Sequence, residues 1–148
     1  MNWLKHLFRH GPSSKTVADP NQDLVTTATH SVVLRLDPTK LDDPDLEVRW
    51  EIEKLLKNIQ PALPFFDDGY GFARSSDAMF LTYATSDPQR FVDALIGICE
   101  REHVCGNRLG RAAMIGLAEE PELTDAGDGF DQFRIVYPAA DRGKQLPD

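Results

Sequence analysis

Asp67-Asp68-Gly69-Tyr70-Gly71-Phe72-Ala73-Arg74-Ser75-Ser76-Asp77-Ala78-Met79-Phe80-Leu81-Thr82-Tyr83-Ala84-Thr85-Ser86-Asp87-Pro88 is the stretch whose reading decides the fold. Residues 70–73 and 78–84 are rich in aromatic and other apolar side chains. Arg74-Ser75-Ser76-Asp77 joins them by a connection short enough to force antiparallel pairing, so the spacing predicts a hairpin. Asp87-Pro88 then predicts a helix start. The carboxylate can accept free backbone N–H groups, and proline loses nothing at the first helical position.

Working outward, Phe91, Val92, Leu95, Ile98 and Cys99 recur at three-and-four spacing and predict the buried stripe of that helix, with Gly106 placed to end it. Residues 111–118 predict a following strand, and 133–137 another after a glycine-rich loop. Upstream, His30-Ser31-Val32-Val33-Leu34-Arg35-Leu36 predicts a strand ended by Asp37-Pro38. Asp45 is placed to cap a helix whose stripe is Val48, Ile52, Leu55, Leu56 and Ile59, stopped by Pro61 and Pro64. The order is strand, helix, strand, strand, helix, strand, strand. Its first six elements predict an α+β fold of ferredoxin-like βαββαβ type, an antiparallel sheet with two helices on one face and an extra C-terminal strand.

Asp68-Gly69 with its hairpin, Asp87-Pro88-Gln89-Arg90-Phe91 and the strand at 112–117 together resemble small uncharacterised bacterial ferredoxin-like proteins. The resemblance covers about a third of the chain. It implies a fold and carries no functional residue with it.

The 148 residues suit one domain, divided here into an amphipathic turn and linker at 1–23, a single α+β domain at 24–137 and a flexible tail at 138–148. Trp3, Leu4, Leu7 and Phe8 make the amphipathic turn, read as packing on its own domain. A net charge of −8 argues against nucleic acid and suits a basic protein partner. Two cysteines make no disulfide framework, no apolar run is long enough to span a membrane, and the first residues lack the pattern of a secretory signal. A cytoplasmic setting is expected.

Chemistry-bearing groups are sparse. Cys99, His103 and Cys105 bring three soft ligands near one helix end, but the spacing is not a standard zinc pattern and the fourth ligand is missing. Asp125, Asp128 and Asp131 lack the alternate-residue ligands of a calcium loop. Gly69-Tyr70-Gly71 has neither the third glycine nor the following helix of a dinucleotide site, and no serine sits in an elbow motif. Catalytic, cofactor-binding and metal residues are therefore expected to be none. Gly106-Asn107-Arg108-Leu109-Gly110-Arg111 offers candidate anion contacts in Arg108 and Arg111, which leaves a small-molecule ligand as an alternative.

The remaining surface is the sheet. Strand 78–84 is apolar on both faces, and two helices cover only one side. The other side needs a cover: a terminal segment, a second copy, or another protein. Val33, Arg35, Phe80 and Thr82 are the candidate interaction surface there. The leading expectation is a non-enzymatic interaction module, homodimeric or bound to a basic protein partner as an immunity or regulatory protein would be. An anion-sensing regulatory domain comes second, and an enzyme third.

Overall fold

The computed structural model describes residues 27–59, 62–119 and 130–148. Its elements run β1 (His30–Leu36), α1 (Glu47–Ile59), β2 (Phe65–Phe72), β3 (Met79–Thr85), α2 (Pro88–Arg101), β4 (Ala113–Ala118) and β5 (Arg134–Tyr137). All five strands join one antiparallel sheet in the order β2-β3-β1-β4-β5. The fold is α+β, and among the described residues no helix is long and apolar enough to cross a membrane.

Both helices start where local chemistry places them. Asp45 Oδ1 accepts the Glu47 N–H at 3.0 Å, and Asp87 Oδ1 accepts the Arg90 N–H at 3.3 Å with Pro88 in the first turn. Val48, Ile52 and Leu56 of α1 and Phe91, Leu95 and Ile98 of α2 are fully buried. They pack against Val32, Leu34 and Leu36 of β1, Leu81 and Tyr83 of β3 and Ile115 of β4, so both helices cover one face of the sheet. Burying each such side chain contributes about 1.5–3 kcal/mol before chain entropy is subtracted.

Gly106 does not end α2, which stops at Arg101 with Glu102 as its cap. Instead Cys105 (φ 49°) and Gly106 (φ 79°) form a tight turn, closed by two backbone hydrogen bonds of 2.9 Å between Val104 and Asn107. Two successive positive φ values need a glycine at one position at least. Strand β4 begins at Ala113, and Leu109–Arg111 before it is a short 3-10 turn.

Strand β2 starts at Phe65, five residues before the predicted hairpin strand. Asp67-Asp68-Gly69 has the composition of a turn, yet it is a β-bulge: Asp67 pairs with Tyr83 and Gly69 with Thr82, and Asp68 is the extra residue. Gly69 takes φ +116° there, a backbone state that glycine adopts without strain.

The second face of the sheet has its own small core of Val33, Phe80, Ala118, Phe133, Ile135 and Leu146. The chain itself supplies the cover. Phe130 stacks on Phe80 with ring centroids 4.1 Å apart and also meets Phe133. Residues 138–148, which composition reads as a flexible tail, turn back along β5: Ile135 N–H donates to Lys144 O, Gly143 N–H to Ile135 O and Leu146 N–H to Phe133 O. Leu146 is only 2% exposed as a result. The amphipathic turn with Trp3 and Phe8, and the linker to residue 23, lie outside the described residues.

Candidate functional site

The sheet positions proposed from sequence do not form an open surface. Val33 and Phe80 are 0% and 2% exposed beneath the C-terminal cover. Arg35 is half-buried with its guanidinium 6.0 Å from the Phe80 ring centroid, and the half-buried Thr82 donates its hydroxyl to Gly69 O at 3.0 Å. The physical reason is the one weighed from sequence: apolar strand positions left uncovered by helices are buried by a terminal segment.

Arg108 and Arg111 are both exposed, one just before the 3-10 turn and the other at its last position, and Arg108 Nε donates to His103 Nε2 at 3.2 Å. Cys99 is in the core, where burial and, secondarily, Glu100 push its thiol up to about 12. Cys105 sits on the tight turn, its thiol raised by burial first and then by Glu51 and Asp45. Among the described residues no three His, Cys, Asp or Glu side chains cluster as metal ligands. Asp131 Oδ1 accepts from Gln145 Nε2 at 2.6 Å, while Asp125 and Asp128 lie outside the described residues.

A different surface stands out at the corner between α1 and the edge strand β2. Leu46, Trp50, Tyr70 and Phe72 are 48%, 54%, 51% and 57% exposed. Trp50 falls two residues from both Val48 and Ile52, off the buried stripe of α1, so the helix turns it outward. Tyr70 and Phe72 alternate with Gly69 and Gly71, which puts both aromatic rings on one face of β2, 6.2 Å apart and edge to face.

Arg49 holds this corner together. Its guanidinium lies 4.5 Å from the Trp50 ring centroid and 4.6 Å from that of Tyr70. The same group donates to both carboxylate oxygens of Asp67, with contacts of 3.0, 3.1 and 3.2 Å. Asp67 Oδ1 also accepts the Gly69 N–H at 2.9 Å, so the carboxylate fixes the bulge and the arginine together. The ion-pair side chains are 16% and 15% exposed, sheltered enough for the forked geometry to matter. The two exposed rings are thereby held in place before anything binds, which reduces the ordering cost of association.

The chain leading into α1 is acidic, and its Asp45 shares a groove with Leu46 and Phe72. Asp42, Asp43, Asp45 and Glu47 follow one another on the exposed approach to α1, and none makes an ion pair among the described residues. Their loop is anchored by the fully buried Asn107. Its amide oxygen accepts the Asp43 N–H at 2.8 Å, and its amide nitrogen donates to Asp43 O at 2.7 Å and Cys105 O at 3.1 Å. This side chain acts as one rung of a ladder between segments 64 residues apart.

Comparison with protein-family models, with curated proteins and with solved structures finds no match. The signal for this site was present in the sequence as a tryptophan off the apolar stripe of its helix and as Gly-Tyr-Gly-Phe alternation, but only the pairing of β2 with β3 and the Arg49 contacts show that the two meet.

Proposed function

We propose that this chain is a non-enzymatic protein-interaction module that docks a basic protein partner on the corner formed by α1 and β2. The observation that carries the reading is the concentration of Leu46, Trp50, Tyr70 and Phe72, each about half exposed, around the partly buried Arg49–Asp67 pair. Trp, Tyr and Arg are the residues that dominate binding energy at protein interfaces, usually within a polar rim. The neighbouring carboxylates and the net charge of −8 favour a partner of opposite sign and steer its approach. The finer fold reading that accompanies this one is a ferredoxin-like βαββαβ unit extended by β5. The succession β2-β3-β1-β4, with both helices on one face, supports it.

The test is affinity capture from native lysate with the wild-type chain and with a Trp50→Ala/Tyr70→Ala double variant. A stoichiometric basic partner, released by salt and bound at least about tenfold more weakly by the double variant, is the expected result. Circular dichroism checks that the variant keeps its fold. Absence of any stoichiometric partner, or a partner bound equally by both proteins, overturns the reading.

A further inference from the structure

Next to the aromatic corner, where the end of β1, the approach to α1 and the β2–β3 hairpin converge, the surface opens into a groove with a cavity of about 110 Å³. The buried Leu36 and Met79 and the half-exposed Leu46 and Phe72 supply apolar lining, and Asp45 and Asp77 supply the charged part. No lysine or arginine belongs to the lining. Asp45 spends one oxygen on the Glu47 N–H, and Asp77 makes no ion pair among the described residues.

Size and charge together restrict the occupant. Sites that enclose a small-molecule ligand span roughly 300–1,000 Å³, whereas a cavity of about 150 Å³ holds one benzene-sized group. A space of about 110 Å³ therefore suits one side chain of a larger body. Asp45 and Asp77, both exposed, are the charged lining of the groove, which repels an acidic segment and favours a basic one.

We infer that the groove receives one aliphatic side chain of a cationic peptide segment, whose flanking lysine or arginine residues meet Asp45 and Asp77. The inference rests on the interaction-module reading above and specifies what its partner presents. The apolar side chain displaces water from Leu36, Leu46, Phe72 and Met79, while the flanking cations select the segment and speed its approach. Leu46 and Phe72 belong to both surfaces, so the partner's anchor and its contact with Trp50 and Tyr70 are continuous.

The probe is a phage-displayed library of random peptides, selected on the full wild-type chain. Enriched sequences are expected to share Leu, Ile, Val or Met beside Lys or Arg. A synthetic peptide of that consensus is then titrated by fluorescence polarisation. Asp45→Asn combined with Asp77→Asn should weaken it by at least about fivefold and flatten its salt dependence, since asparagine at position 45 keeps the oxygen that caps α1. Phe72→Ala should weaken it comparably without loss of fold, because that ring is 57% exposed. No enrichment, a consensus without basic residues, or binding unchanged in both variants overturns the inference. So does self-association of the wild type that Phe72→Ala abolishes, because a second copy is then the occupant. A native partner that depends on Trp50 and Tyr70 but ignores the groove variants also overturns it, while leaving the module reading in place.

Discussion

Asp68 shows at the scale of one residue how the edge strand is tuned. It is the extra residue of the bulge in β2, only 6% exposed and adjacent to Asp67. Burial chiefly, and the Asp67 charge in addition, raise its carboxyl from 3.8 to about 7. Between those two values the folded chain holds a proton that the unfolded chain has released. Stability contributed by this group is therefore complete at low pH, declines as pH rises through that window and levels off above about 7. Asp68→Asn, which mimics the protonated acid, should raise stability at pH 8 by on the order of 2 kcal/mol after allowance for solvent screening, and change it little at pH 4. Urea titrations of both proteins at the two pH values check this. An equal effect at both would mean that the carboxyl does not titrate in the folded chain as described. From sequence, Asp67-Asp68 reads as a turn pair, because composition marks polarity and glycine but not whether a strand passes through them.

At the scale of elements, legibility followed the range of the determining interactions. The starts of α1 and α2 were readable because Asp45 and Asp87 bond backbone groups two or three residues away. The start of β2 was not, because the bulge is defined by the partner strand: Asp67 opposes Tyr83, and Gly69 opposes Thr82. Gly106 reads as a helix end in the sequence because the distant partner of its turn, Asp43 through Asn107, lies 64 residues away from Asn107 in the chain. The aromatic corner failed to appear for the same reason, since Trp50 and Tyr70 meet only through Arg49. Gly69 offers the sharpest test of the bulge. A Cβ there would meet nothing within 4 Å, so any cost of Gly69→Ala comes from φ +116° alone. The expected loss is about 1–3 kcal/mol by chemical denaturation. The Trp50 emission should shift as well, because the Gly69 N–H and Arg49 share the Asp67 carboxylate. A stability loss below a few tenths of a kcal/mol would show that the bulge relaxes freely and does not hold the corner.

For the whole molecule, the sheet has two cores of unequal origin. The helix side could be anticipated from stripes at three-and-four spacing, whereas the cover on the other side comes from Phe130 and from 138–148, a segment whose one large apolar side chain is Leu146. Leu146 is nevertheless 2% exposed and lies against Phe133 over Gly116, where an added Cβ would sit 3.1 Å from each. The segment therefore fits a space that β4 leaves by having glycine there. Ending the chain after Pro138 removes Leu146 and the hydrogen bonds that 143–146 make to Phe133 and Ile135. The expected cost is about 2–4 kcal/mol, comparable to deleting a large core side chain. The truncated chain should also associate with itself, because Phe133 and Ile135 lose their cover and a sheet face of this kind needs one. Denaturation curves and sedimentation velocity measure the two effects. Leu146→Ser in the full chain separates their causes: a comparable loss of stability assigns the cover to that one side chain, and a small loss assigns it to the backbone pairing along β5. A truncated chain that stays monomeric with an unchanged midpoint would show that the second core stands without its C-terminal segment.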